Sequence, residues 1–173
     1  IQNDILKEFM VRNTYMNGVS ETIFSVNGKV TRGQVVTILY RVAGMPSVEG
    51  LENPFQDVSA GKFYTNAVTW AFNEGIVMGT SETIFAPDVS ITREQIAAIL
   101  YRYDGENTVK EDNLSDFSDG TNVSNFAKDA MNWAVTNGLI NGIGTGETAT
   151  LSAKTTATRS QIAVILMRYL TEG

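Results

Sequence analysis

The amino-acid sequence points to a mainly α protein built from three helix–loop–helix repeats. Three stretches align in one register: TRGQVVTILYRVAG from Thr31, TREQIAAILYRYDG from Thr92 and TRSQIAVILMRYLTEG from Thr158. Arg32 and Arg93 stand 61 residues apart, and Arg93 and Arg159 stand 66 apart. A second matched pair, TWAFNEGIVMG from Thr69 and NWAVTNGLINGIG from Asn132, precedes the later two stretches. Both kinds of segment repeat their apolar residues at the spacing of one helix face. Self-similarity at such a period marks a repeat architecture. The divisions fall at 1–48, 49–110 and 111–173.

Within a full unit an aromatic–Asp element comes first, Phe55-Gln56-Asp57 and Phe117-Ser118-Asp119. The first helix then shows Ala67, Trp70, Ala71 and Glu74, or Ala130, Trp133, Ala134 and Asn137. It stops at Gly75 or Gly138, each followed by an apolar residue, the pattern of a left-handed C-cap. A Gly-rich connection runs through Gly79 or Gly142, after which Phe85 or Leu151 is expected to plug the core. SETIF occurs at 20–24 and again at 81–85. The second helix carries Ile96, Ile99, Leu100 and Tyr103, matched by Val35, Ile38, Leu39, Val42 and by Ile162, Ile165, Leu166, Tyr169. Such stripes read as core. One unit cannot bury its own stripe, whereas three packed together can. The first unit is incomplete: at the 61-residue offset Trp70 falls on Phe9 and Gly75 on Thr14, and Phe55 falls before residue 1.

Composition narrows the chemistry. The chain has 173 residues, 43% hydrophobic, with 19 acidic and 13 basic side chains. It has no Cys and no His, which excludes a disulfide frame, a thiolate nucleophile, a Ser-His-Asp triad and imidazole or thiolate metal sites. No EF-hand loop is visible, since 116–120 has the wrong order of ligands, and no metal or cofactor is expected. A net charge of −6 argues against a nucleic-acid or anionic-membrane binder. No apolar run approaches bilayer length. The opening IQNDILKEFM lacks a basic n-region and an apolar h-region, so it reads as a processed end or a piece of a larger protein.

All three second helices begin Thr-Arg-x-Gln. Thr at N-cap with Gln at N3 makes a capping box, which accounts for Thr31, Thr92, Thr158, Gln34, Gln95 and Gln161. The arginines, Arg32, Arg93 and Arg159, sit at N1, where the helix dipole disfavours a cation. Two readings stand side by side. Free helix-start amides with a forked guanidinium form an anion site. Alternatively, each Arg pairs with a neighbouring carboxylate such as Asp57 or Asp119. Arg41, Arg102 and Arg168, in the last turns, read as dipole-matched cations. Trp70 and Trp133 read as core, with an indole at a groove edge able to stack on a sugar as the functional alternative. Gly79 and Gly142 either permit positive φ or let a ligand approach the backbone.

The repeat resembles the S-layer homology (SLH) module of bacterial surface proteins. The resemblance rests on Phe55-Gln56-Asp57-Val58, Trp70-Ala71, Gly75-Ile76, Gly79, Phe85-Ala86-Pro87, Ile91-Thr92-Arg93-Glu94-Gln95 and Leu100-Tyr101-Arg102. It extends to Phe117, Asp119, Trp133-Ala134, Gly138-Leu139, Gly142, Thr158-Arg159-Ser160-Gln161 and Arg168. It implies a pseudo-threefold helical trefoil with grooves between lobes. It also implies a non-catalytic anchor, outside the cell at the wall or S-layer, that holds a larger surface protein to secondary cell-wall polysaccharide. That polymer often carries a ketal-linked pyruvate on N-acetylmannosamine, an anion suited to an N1 Arg. The implied ligand-binding set is Arg93, Arg32, Arg159, Asp57, Asp119, Trp70, Trp133, Gly79 and Gly142.

Departures qualify the expectation. Thr80-Ser81-Glu82 replaces the Asp-Gly pair that many family members carry after the Gly79 position. Gly142 to Arg159 takes 17 residues against 14 from Gly79 to Arg93, and Leu151-Ser152-Ala153 replaces Phe-x-Pro. The groove built from Gly142 is therefore expected to be reshaped or inactive, and any first-unit groove that needs an equivalent of Asp57 to be unfinished. Two other function classes stand beside this one: an assembly module whose grooves hold protein, and a carboxylate-pair glycosidase. Only Asp57 and Asp119 share a repeat position, which disfavours the glycosidase.

Overall fold

A computed structural model describes residues 25, 27–106 and 108–172. Its helices are α1 (Arg32–Val42), α2 (Thr65–Asn73), α3 (Arg93–Tyr103), α4 (Lys128–Thr136) and α5 (Arg159–Glu172). Short 3-10 turns at Leu114–Asp116, Gly120–Asn122, Asn125–Ala127 and Gly146–Thr148 complete the third repeat. The expected elements at 20–24 and around Phe9 and Thr14 lie outside the described residues.

The helix boundaries follow from the caps. At α1 and α3 the Thr hydroxyl accepts from the Gln amide at 3.3 Å and the Gln side chain accepts from the Thr amide. Thr158 and Gln161 make the same reciprocal pair at α5. At the end of α2, Gly75 has φ 71° and donates to Phe72 O, while Ile76 donates to Ala71 O. Gly138 and Leu139 repeat this with Val135 O and Ala134 O. Both ends are Schellman motifs, with the apolar C″ residue buried.

The repeats close around a pseudo-threefold axis. Ile91 donates to Val30 O, Ala157 to Ile91 O, and Val30 to Ala157 O, at 2.8, 2.9 and 3.4 Å. A second ring runs outside it: Arg32 N donates to Val89 O, Arg93 N to Thr155 O and Arg159 N to Gly28 O. Each helix start is thus tied to the segment that precedes the next repeat's helix.

Packing crosses the repeat boundaries. α1 packs on α2 and α3 on α4, so the second helix of one repeat lies against the first helix of the next. Tyr40 meets Trp70 at 5.6 Å and Tyr101 meets Trp133 at 5.7 Å, equivalent pairs at the two joints. The predicted stripes are buried, except that Val42, Tyr103 and Tyr169 are only partly so. Glu74 and Asn137 are exposed because they are C-caps rather than helix body. Phe85 and Leu151 are fully buried plugs.

Candidate functional site

Each aromatic–Asp element builds a turn. Asp57 accepts from the Phe85 and Ala86 amides at 2.9 and 2.7 Å. Asp119 accepts from the Leu151 and Ser152 amides at 2.7 and 2.9 Å. Ala86 and Ser152 have φ 60° and 48°, a region that side chains rarely adopt. A carboxylate bridging two amides offsets that strain, and Leu151-Ser152 thereby does the work of Phe85-Ala86.

The turn presents its carbonyl to the N1 arginine of the preceding repeat. Arg32 Nε donates to Phe85 O at 2.9 Å and Nη2 to Met78 O at 3.2 Å. Arg93 Nε donates to Leu151 O at 2.8 Å and Nη2 to Asn141 O at 3.1 Å. The Arg32 guanidinium also lies 4.7 Å from the centre of the Phe85 ring. The expected pairing with Asp57 and Asp119 is therefore replaced by backbone carbonyls, because both carboxylates are engaged by amides. The free helix-start amides are likewise corrected: Arg32 N and Gly33 N bond Val89 O and Pro87 O, and Arg93 N and Glu94 N bond Thr155 O and Ala153 O. What remains for a ligand is the outer guanidinium edge. Arg32 and Arg93 are 6% and 5% exposed overall, yet Nη1 has no partner among the described residues. No buried side-chain nitrogen there lacks a hydrogen bond, so that edge is open.

That edge faces a groove in both cases. Groove 1, about 420 Å³, is lined by Arg32, the connection Val77, Met78, Gly79 and Thr80, the α3 face Gln95, Ala98, Ile99 and Arg102, and Phe126. Groove 2, about 290 Å³, is lined by Arg93, the 139–143 connection, and Ser160, Gln161, Val164, Ile165 and Arg168 of α5. No carboxylate lines either groove among the described residues. Burial pushes both guanidinium groups down from their ordinary value; at Arg32 the nearby Arg102 adds to this and Asp57 opposes it. Both remain cations. Two cations crowded beside one groove with no acid in its wall favour an anion.

Groove 1 thus joins Arg32 with Gly79 of the next repeat, and groove 2 joins Arg93 with Gly142. The structure does not bring Asp57, Asp119, Trp70 or Trp133 to the grooves: the acids hold the turns, and the indoles are buried at 5% and 4% exposure. Gly79 and Gly142 do not have positive φ. A Cβ on Gly79 would lie 2.0 Å from Ser81 O, and one on Gly142 would lie 2.6 Å from the Phe117 ring. Close approach within the chain therefore demands these glycines. Arg159 is buried with its N–H on Gly28 O, and burial lowers its pKa. Arg102 and Arg168, assigned from sequence to the helix dipole, line the grooves. Gln95, Ala98, Ile99 and Arg102 fall at i, i+3, i+4 and i+7, so the capping Gln already marked the face on which the second Arg would lie.

Comparison with known proteins identifies the family. A family model described as the S-layer homology domain matches residues 54–97 and 116–163. The chain belongs to that family, whose modules anchor S-layer proteins and surface enzymes to the bacterial cell wall. It is 33% identical over 141 residues to the surface-layer 125 kDa protein of Lysinibacillus sphaericus, covering 82% of this chain and 12% of that protein. It is 30% identical over 166 residues to an amylopullulanase of Thermoanaerobacterium thermosulfurigenes, covering 94% of this chain and 9% of the relative. It is 29% identical over 167 residues to exoglucanase XynX of Acetivibrio thermocellus, covering 94% of this chain and 15% of the relative. The chain therefore spans less than a fifth of the length of these relatives.

Proposed function

We propose that this chain is the non-catalytic wall-binding module of a larger surface polypeptide, and that its inter-repeat grooves hold anionic substituents of a secondary cell-wall polysaccharide. The ketal-linked pyruvate of a pyruvylated polymer fits best. Its carboxylate is planar and compact, as a guanidinium edge requires, and its ketal carbon carries a methyl group suited to the apolar walls around it. The observation that carries the reading is the duplicated site. In both grooves an N1 Arg of one repeat, anchored through Nε and Nη2, leaves Nη1 open beside a second Arg of the next.

Sedimentation with purified walls tests it. The protein should pellet with walls that carry the pyruvyl modification and stay in the supernatant with walls from which it has been removed. Equal pelleting with both would overturn the pyruvate reading and favour an assembly role.

A further inference from the structure

Asn-Gly pairs stand at 17–18, 27–28, 137–138 and 141–142, and the last three fall among the described residues. In such a pair the Gly amide nitrogen can reach the Asn side-chain carbonyl carbon, because no Cβ shields it. The three pairs differ in whether that nitrogen is free. Gly28 N donates to Ser25 O at 2.8 Å and Gly138 N to Val135 O at 3.0 Å. The Asn137 side chain is also held, its Nδ2 on Trp133 O at 2.8 Å. Gly142 N has no partner among the described residues, and Asn141 is exposed with its side chain unbonded there.

The 141–142 peptide unit is polarised as well. Its carbonyl, Asn141 O, accepts from Arg93 Nη2 at 3.1 Å. A cation bonded to the oxygen of a peptide unit draws charge from its nitrogen and eases loss of the N–H proton. In groove 1 the same place beside Arg32 is taken by Met78-Gly79, whose thioether offers no carbonyl to attack.

We propose that Asn141 is a self-modification site whose deamidation closes groove 2 to anions. Gly142 N bonds to Asn141 Cγ, the Cγ–Nδ2 bond breaks, and the side-chain nitrogen leaves as ammonia with the Gly142 proton. Water then opens the resulting succinimide. Opening at Cγ leaves aspartate, with a new carboxylate on the exposed side chain. Opening at the other carbonyl leaves isoaspartate: the chain runs on through Cγ, and the former Asn141 main-chain carbonyl becomes a free carboxylate. That is the group Arg93 Nη2 already holds. A neutral dipole on the guanidinium is thereby exchanged for a full negative charge, and an anionic ligand meets a like charge at the cation it needs. The effect on groove 2 rests on the anion-groove reading, whereas the conversion itself does not.

Incubation of the full chain at mildly alkaline pH, followed by peptide mapping with mass spectrometry, measures the conversion. Asn141 should convert at least about fivefold faster than Asn27 or Asn137, the factor imposed when one hydrogen bond must first break. The Arg93 side-chain N–H resonances should shift in step with it. Amide NMR titration with a pyruvylated N-acetylmannosaminide, followed at Ile143 and Ser160, should show groove 2 affinity at least about tenfold lower in converted protein, while Gly79 and Thr80 report groove 1 unchanged. Asn141→Gln should keep through the same incubation whatever groove 2 affinity it has when fresh. Conversion of Asn27 or Asn137 as fast as Asn141, Arg93 resonances that stay in place, or equal groove 2 affinity before and after conversion would overturn this inference and leave the wall-binding reading standing. No response of either groove in fresh protein would instead overturn the wall-binding reading, and with it the closing of groove 2.

Discussion

Arg32 and Asp57 meet through one residue: the guanidinium Nε donates to the Phe85 carbonyl at 2.9 Å, and Asp57 Oδ1 accepts from the Phe85 amide at 2.9 Å. Arg93 and Asp119 meet in the same way through Leu151. Opposite charges from adjacent repeats are thereby linked without touching. The arrangement fixes the guanidinium inner edge and keeps its outer edge for the groove.

Removing the carboxylate should release the turn. Asp57→Ala leaves two amides unsatisfied beside a left-handed Ala86, at a cost of about 3 kcal/mol. Asp57→Asn keeps one acceptor oxygen and should lose about half as much. Urea denaturation should order the proteins parent, Asn, Ala. An Asn variant no more stable than the Ala variant would show that the two-amide grip is not what holds the turn.

Glycine replacement should be unequal in the two connections. The added Cβ of Gly79→Ala meets two backbone carbonyl oxygens at 2.0 and 2.5 Å, whereas that of Gly142→Ala meets the Phe117 ring at 2.6 Å and the Ala149 Cβ at 3.1 Å. A ring and a methyl yield more readily than a carbonyl pair. Gly79→Ala should destabilise by about 3 kcal/mol and Gly142→Ala by about 1 kcal/mol, the range of overpacking effects. Thermal denaturation of the two variants checks the order.

These positions show what one-dimensional reasoning reaches. The Thr-x-x-Gln boxes and the Gly-Ile and Gly-Leu ends were readable because capping uses residues within a few positions of each other. Trp70, Trp133, Phe85 and Leu151 were readable as core from periodicity and repeat register. The fate of each N1 Arg was not, because its partners lie 46 to 58 residues away and are backbone carbonyls, which any sequence supplies. Gly79 and Gly142 announced a constraint but not its kind. Positive φ and close approach leave the same letter, and only the positions of Ser81 O and Phe117 separate them. Arg102 and Arg168 were assigned by a local rule, the dipole, while the groove that they line is formed by a neighbouring repeat. Phe126 lies in a turn and so gave no helix-face signal, although it keeps the register of Phe63 as Trp133 keeps that of Trp70.

The joint between the second and third repeats should be alkali-sensitive. Tyr169 donates to Asp104 Oδ1 at 3.1 Å, and burial followed by the Asp104 charge pushes its hydroxyl above the usual tyrosine range. The folded state thus favours the neutral phenol. That contribution is complete below about pH 10, where an unfolded tyrosine keeps its proton, and is lost as the pH rises above it. The stability advantage of the parent over Tyr169→Phe should therefore be constant from neutral pH to about pH 9 and shrink above about pH 10. Melting curves of both proteins from neutral pH upward measure it; an advantage that persists unchanged at high pH would contradict the assignment.

The grooves as anion sites are tested most directly at Arg102, which lines groove 1 without anchoring the Phe85 turn. Calorimetric titration of parent and Arg102→Gln with pyruvylated wall oligosaccharide, beside their melting temperatures, isolates the charge from the scaffold. The predicted result is an affinity at least about tenfold lower for Arg102→Gln, as expected when one member of a desolvated charge contact is removed, with a melting temperature close to the parent's, because Arg32 loses a repelling neighbour while the end of α3 loses a dipole-matched cation. Unchanged affinity in a fully folded variant would contradict it.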